Sequence, residues 1–164
     1  MKRKIWTVRV SAFLAIGVVV LFFSFIGVAF AENDSCIHCG MTKAKFGHSW
    51  VVIEHDDGSF EGVCSVHCAA IDMALHTDKG IKNITVGDYN TKKQIDAQKA
   101  YWVIGGDKMG VMTARAKWAF NSKDAADEFM QNHGGRPATY EEVMKASFED
   151  MYEDTLMIQK KRKM

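Results

Sequence analysis

The sequence has little net charge, and this excludes one large class of functions. Its 21 basic and 20 acidic residues give a formal net charge of +1. Residues 1–31 hold four of the basic residues and no acidic one, so the rest of the chain has 17 basic against 20 acidic residues, a formal charge of −3. Nucleic-acid binding depends on a positive surface that neutralises phosphates. We therefore expect no nucleic-acid partner, and we interpret the basic run at residues 160–163 as a solvated tail.

The absence of acidic residues at the N-terminus is part of a pattern typical of export. Basic residues open the chain, an apolar run extends from residue 10 to residue 30, and Ala29-Phe30-Ala31 has the form of a cleavage site. The run is also just long enough to span a bilayer. We predict that residues 1–31 are a signal peptide or an N-terminal membrane anchor, with residues 5–30 as the anchoring segment. The domain at residues 32–164 then lies in the periplasm or another extracytoplasmic compartment, free or held at the inner membrane.

Cysteine is scarce, and the four cysteines are grouped in two pairs. Cys36 and Cys39 have the spacing C-x2-C, and Cys64 and Cys68 have the spacing C-x3-C. Such pairs are typical of metal sites, because two thiols on a tight turn point at one ion. Thiolates suit Cu(I) and Zn(II). Three interpretations are open at this point: a transferable soft metal, a structural Zn(II) site, and two disulfides, which an oxidising compartment favours.

A thioether lies beside the first cysteine pair. The stretch Cys36-Ile37-His38-Cys39-Gly40-Met41 places two thiols, an imidazole and a thioether within six residues. Four thiolates would enclose an ion and release it slowly, whereas neutral thioethers hold Cu(I) more weakly and need no deprotonation. Met109 lies in a glycine-rich loop, where a side chain is less expected to pack in the core. Met112 lies nearby and is an alternative candidate for a metal ligand. We expect most other methionines, including Met157, to fill the core.

Two of the six histidines adjoin the cysteines. His38 and His67 are candidates to bind the metal or to support one of its ligands. We assign no role to the other four histidines, which are His48, His55, His76 and His133.

The first half of the chain predicts a strand–strand–helix–strand unit. Residues 48–55 and 59–63 form a hairpin about Asp56-Asp57-Gly58, because β-branched and aromatic residues flank a strong turn sequence. A helix then begins near Ser65, runs to about residue 76 and carries Cys68 in its first turn. Residues 84–86 form a short strand, and the polar residues 88–99 are expected to form a loop.

The second half repeats this order. Strands are predicted at residues 100–104 and 117–120, followed by a helix capped by Ser122 and an extended stretch at residues 136–138. Thr139 then opens a capping box. The final helix, at about residues 140–158, is expected to place Val143, Met144, Phe148, Met151, Tyr152 and Thr155 on one face.

These elements predict an α+β fold with two related ββαβ units, at about residues 34–87 and 100–140, packed as one domain with a C-terminal helix. Each unit alone is too small to bury a good core, so we expect the two units to share one.

The order of several short motifs resembles a known family, the nitrous-oxide-reductase accessory proteins, or NosL-like proteins. The motifs are Cys39-Gly40-Met41, Met109-Gly110, Ala119-Phe120 leading into an Asp-Ala-Ala helix, and Gly134-Gly135. The resemblance covers most of residues 34–144. It implies paired ββαβ units, similar to the core of organomercurial lyases, and an extracytoplasmic protein that delivers Cu(I) to the copper centre of nitrous oxide reductase.

By position, the resemblance also implies that Cys39, Met41 and Met109 are the copper ligands. Cys36, Cys64 and Cys68 are additional to the family motif, and no lipobox precedes Cys36, although many family members are lipoproteins. The combined cysteine spacing also resembles the metal-sensing modules called TRASH domains.

The leading hypothesis is therefore an extracytoplasmic metallochaperone that is not an enzyme. It binds Cu(I) through the six sulfur ligands, with Zn(II) as an alternative ion for the cysteines, and delivers copper to an apo copper enzyme. The alternatives are a thiol–disulfide oxidoreductase built on Cys36 and Cys39, an organomercurial-lyase-like enzyme using Asp124 as an acid, and a structural zinc module that docks a partner.

Overall fold

The computed structural model describes residues 34–164, which belong to one compact unit, Glu32–Met164. The predicted signal peptide or anchor at residues 1–31 lies outside the described residues. Within residues 34–164, no helix is both long enough and apolar enough to cross a membrane.

The first unit is built around a four-stranded antiparallel sheet. Its elements are a short helix α1 (Lys43–Phe46), strands β1 (Val51–His55) and β2 (Phe60–Val63), helix α2 (Val66–Leu75), and strands β3 (Ile81–Gly87) and β4 (Gln94–Asp96). The strand order is β2-β1-β3-β4. The predicted hairpin is confirmed by the register between β1 and β2. The predicted loop at residues 88–99 is wrong in part, because β4 pairs there with the free edge of β3.

The second unit repeats the arrangement with shorter strands. It comprises β5 (Tyr101–Ile104), β6 (Lys117–Phe120), helix α3 (Lys123–His133) and β7 (Arg136–Ala138), in the sheet order β6-β5-β7. The hydroxyl of Ser122 accepts a hydrogen bond from the Ala125 amide, so the predicted helix cap is confirmed. In both units the first strand pairs antiparallel with the second strand and with the strand that directly follows the helix. The prediction of two related ββαβ units in an α+β fold is confirmed.

The C-terminal helix is divided at Asp150. Helix α4 (Tyr140–Glu149) begins with the predicted capping box, in which Thr139 and Glu142 each bond the other's backbone amide. Helix α5 (Met151–Arg162) follows directly. The Asp150 carboxylate binds Arg115 at 2.7 Å and the buried amine of Lys117 at 2.8 Å, which joins the helix boundary to the second sheet.

A hydrophobic core lies beneath both sheets. Trp50, Trp102 and Phe120 are buried in it, as are Val143 and Met144 of α4. The prediction that Phe148 and Tyr152 lie on the apolar face of the C-terminal helix is wrong, because both side chains are exposed, Tyr152 at 70%.

Helix α5 is held instead by a buried carboxylate. Asp154 is 2% exposed, accepts a hydrogen bond from His67 Nδ1 at 3.2 Å, and accepts another from the Ala114 amide at 3.0 Å. Burial of the imidazole lowers the pKa of His67, and Asp154 opposes that shift without reversing it. His67 is therefore a neutral donor that links α2 to α5.

Replacing this carboxylate tests its contribution to stability. We expect Asp154→Ala to lower the free energy of unfolding by about 2–4 kcal/mol, because it leaves the buried His67 without its hydrogen-bond partner and also removes the bond to the Ala114 amide. Denaturant unfolding of the full chain measures the change. The matched control is Glu153→Ala, which removes the same charge from an exposed neighbour and should shift stability by about 0.5 kcal/mol or less. Equal effects of the two substitutions would show that the buried bonds contribute nothing specific.

Candidate metal centre

The first cysteine pair is carried by a tight backbone turn. Ser35 and Thr42 form an isolated antiparallel bridge, and inside it the Cys36 amide donates to the Met41 carbonyl at 2.8 Å. The Gly40 amide donates to the Cys36 carbonyl at 2.8 Å, and Gly40 has φ of +75°, a conformation that glycine adopts without strain. We call residues 35–42 the cysteine turn.

The second pair is carried by the hairpin and the helix of the first unit. Cys64 follows the last residue of β2, and Cys68 lies in the first turn of α2, as predicted. Ser65 is at the N-cap position, but its hydroxyl donates to the Val111 carbonyl at 3.1 Å rather than capping the helix. The Ile37 amide donates to the Gly62 carbonyl at 3.3 Å, which docks the cysteine turn on β2.

The two pairs meet in one cluster of four free thiols. The Sγ atoms of Cys39 and Cys64 are 3.5 Å apart, those of Cys64 and Cys68 are 3.6 Å apart, and those of Cys68 and Cys39 are 4.0 Å apart. A tetrahedral ion with metal–sulfur bonds of about 2.3 Å has ligand separations of about 3.8 Å. The cluster therefore has the dimensions of a tetrathiolate metal site and contains no disulfide.

The thiols strongly affect one another's ionisation. Hydrogen bonds from Cys64 and Cys68 lower the pKa of Cys36, and the same bonds raise the pKa values of Cys64 and Cys68. Burial raises the pKa of Cys39. The cluster thus favours one thiolate and opposes further ionisation, and a bound cation would remove that opposition.

An open cavity of about 510 Å³ adjoins the cluster. Cys39, Met41 and Met109, the ligands implied by the family resemblance, all line it. Met112 and Met157 line it as well, so four thioethers and one thiol face the same space. We call this space the methionine cavity. Cys39 belongs both to the thiol cluster and to the lining of this cavity. Cys36, Cys64 and Cys68 lie outside the lining.

Two features of the methionine cavity were not anticipated. Met157 was predicted to fill the core, but helix α5 places it on the cavity wall, together with Lys161 and Arg162 of the tail. His48, which was given no role, also lines the cavity, and burial lowers its pKa, so it is neutral. The contact with α5 depends on packing between distant segments, and no local pattern predicts it.

The two histidines beside the cysteines do not turn toward the thiols. His38 Nε2 donates to Asp72 Oδ1 at 3.0 Å, and His67 binds Asp154 as described above. Both therefore form hydrogen bonds to buried carboxylates, and neither joins the thiol cluster.

Met109 lies at the edge of the cavity. Its side chain is 78% exposed, in the loop between β5 and β6, whereas Met41 and Met112 are half-buried. Met112 has φ of +60°, which is uncommon for a residue with a side chain and marks a sharp bend of this loop. The cavity lining thus combines a half-buried thiol, at Cys39, with an exposed thioether, at Met109.

Comparison with known proteins agrees with this architecture. The crystal structure of the copper chaperone NosL from Shewanella denitrificans matches with a TM-score of 0.58 and 21% sequence identity, covering 73% of this chain and 96% of that one. At this identity the match establishes a shared fold. None of the curated proteins compared with the chain matches it. The sequence model of the NosL family matches residues 27–148, well over half of the chain. The chain therefore belongs to the NosL family.

Proposed function

We propose that this protein is an extracytoplasmic metallochaperone that binds Cu(I) and delivers it to an apo copper enzyme, such as nitrous oxide reductase. The observation that carries the proposal is the methionine cavity, in which Cys39 and four thioethers surround one open space. Thiolate and thioether sulfur are the ligands that Cu(I) prefers, and they are poor ligands for Mg(II) and Ca(II). The solved NosL that shares the fold is itself described as a copper chaperone.

The ligands differ in accessibility, which suits transfer. Cys39, Met41 and Met109 form the proposed copper-binding set, with the thiolate inside and Met109 exposed at the mouth. An incoming ligand from the acceptor protein can displace the exposed thioether first, because that ligand is neutral and weakly held. Each subsequent step exchanges one sulfur ligand for another and requires no redox change.

The thiol cluster has a different part in this proposal. Its sulfurs are mostly buried and enclose their centre, so an ion held by all four cysteines exchanges slowly. The cluster fits Zn(II), and also Cu(I), by ligand type and spacing. We propose that Cys36, Cys64 and Cys68, together with Cys39, hold a retained ion and keep the cysteine turn docked beside the cavity.

The location and the partner complete the proposal. An export signal or anchor at residues 1–31 places the domain outside the cytoplasm. The acceptor would approach the mouth of the methionine cavity, where Met109 is accessible.

Two enzymatic alternatives are less well supported. A thioredoxin-like oxidoreductase needs its C-x-x-C motif at the start of a helix, whereas Cys36 and Cys39 lie in a turn between bridge residues. The hypothesis of an organomercurial-lyase-like enzyme requires Asp124 as an acid. Asp124 is instead an exposed residue in the first turn of α3, in the unit without cysteines.

Removing the exposed thioether tests the methionine cavity. We expect Met109→Leu to weaken Cu(I) binding by roughly tenfold or more, because leucine fills similar space without a sulfur ligand. Competition with a chromogenic Cu(I) chelator under anaerobic conditions measures the change. The control is Met164→Leu, at an exposed methionine outside the cavity lining, which should bind copper as the original chain does. Unchanged affinity in the Met109 variant would remove Met109 from the ligand set.

Two cysteine substitutions separate the cavity from the cluster. We expect Cys39→Ser to abolish high-affinity Cu(I) binding, because Cys39 is the cavity's thiol. We expect Cys36→Ser to lose the ion retained by the four thiols but to keep Cu(I) in the cavity, because Cys36 does not line it. Metal analysis combined with the chelator competition gives both results. If the two variants lost Cu(I) equally, copper would be bound by the thiol cluster rather than the cavity.

A further inference from the structure

A second group of metal-binding side chains lies on the first unit. His55 is the last residue of β1, Asp72 is in α2, and His76 is the residue that follows the last turn of α2. One ligand atom from each lies within 4.8 Å of the others. His55 Nε2 is 3.5 Å from Asp72 Oδ2, and His76 Nδ1 is 3.2 Å from Asp72 Oδ1. Asp72 and His76 are one turn apart at the end of α2, and the hairpin brings His55 beside them.

The polar atoms of this group are buried without hydrogen-bond partners. His55 is 1% exposed and Asp72 is fully buried. Neither ring nitrogen of His55 makes a hydrogen bond, and the same is true of Asp72 Oδ2 and His76 Nδ1. Buried polar atoms almost always have a partner, since burying one without a partner costs about 1–3 kcal/mol. Four such atoms on three neighbouring residues, with one ligand atom of each residue within 4.8 Å of the others, therefore indicate a ligand.

The chemistry of the atoms indicates a cation. Two imidazoles and a carboxylate are a common ligand set for Zn(II), and imidazole also suits other divalent transition metals. A tetrahedral ion with metal–ligand bonds of about 2.0–2.1 Å separates its ligands by about 3.3 Å, close to the 3.5 Å between His55 Nε2 and Asp72 Oδ2. Among residues 34–164, the ion pairs that the structure shows for Asp72 all lead to histidines.

A third histidine holds the carboxylate in place. His38 Nε2 donates to Asp72 Oδ1 at 3.0 Å, which leaves Oδ2 for the ion. His38 lies in the cysteine turn, between Cys36 and Cys39, so this hydrogen bond connects the group to the thiol cluster. Hydrogen-bonded partners of this kind orient metal ligands.

We propose that His55, Asp72 and His76 form a second metal site, distinct from the cysteine and methionine ligands, that binds a divalent ion such as Zn(II). His38 orients Asp72 and is not itself a ligand. The site is independent of copper delivery, because it contains no sulfur. The spacing D-x3-H on a predicted helix is the only sequence feature that signals it, and His55 comes from a distant strand.

Co(II) serves as the probe, because it replaces Zn(II) and reports its ligands by absorption. The full chain is titrated with Co(II) anaerobically, with all thiols reduced. We expect one equivalent to bind with visible ligand-field absorption and without the intense near-ultraviolet band of sulfur ligation. His76→Gln should weaken this equivalent by at least about tenfold, since even the loss of a hydrogen-bond partner of a ligand weakens metal binding by roughly 10–100-fold. Any Co(II) bound by thiolates should be unaffected.

A matched histidine provides the control. His133 is 29% exposed and lies 3.1 Å from Asp107, whereas His76 is 32% exposed and lies 3.2 Å from Asp72. His133→Gln should leave the sulfur-free equivalent unchanged. His55→Gln provides a second test, with circular dichroism to establish that the variant folds. Absence of a sulfur-free Co(II) equivalent in the original chain, or equal binding by the His76 and His133 variants, would overturn the proposal. Neither outcome would bear on Cu(I) binding, which the chelator competition measures separately.

Discussion

The convergence of four thiols on one point is the constraint on which the rest of this structure depends. The cysteine turn supplies two of them, and the end of β2 and the start of α2 supply the others, all within 4.8 Å of one another. Without a cation, this buried group stabilises one thiolate and opposes more. Metal binding at this cluster would therefore be coupled to folding of the first unit, because the fold gathers the ligands and the ion would replace their protons.

Cys39 is shared by the two groups of sulfur ligands. It belongs to the closed thiol cluster and also lines the open methionine cavity. The ligands of the methionine cavity come from both units, since Cys39 and Met41 belong to the first unit and Met109 to the loop between β5 and β6 of the second. The first unit therefore supplies all four thiols, and the second supplies the most exposed of these three sulfur atoms.

Local patterns predicted the parts of the fold that are locally determined. The capping box at Thr139, the hairpin and both cysteine pairs follow from residues close together in sequence. The predictions are wrong where contacts between distant segments determine the structure. The strand Gln94–Asp96 forms because β3 offers a free edge, Tyr152 is exposed because its helix is docked through the buried Asp154, and Met157 faces the cavity for the same reason. Hydrophobic periodicity predicted that Tyr152 is buried, and the general tendency of methionine to fill cores predicted the same for Met157. Neither rule accounts for a buried carboxylate with partners on other elements.

The anchoring of helix α5 near one end makes it a lever. Asp154 fixes the helix to α2 and to the loop at Ala114, while Met157 and Arg162 lie farther along and line the cavity. At a rise of about 1.5 Å per residue, Met157 is about 4.5 Å beyond the pivot and Arg162 about 12 Å beyond it. Any tilt about Asp154 moves Arg162 nearly three times as far as Met157. A tilt of α5 therefore changes the charged part of the cavity lining, at Arg162, more than it changes the thioether at Met157.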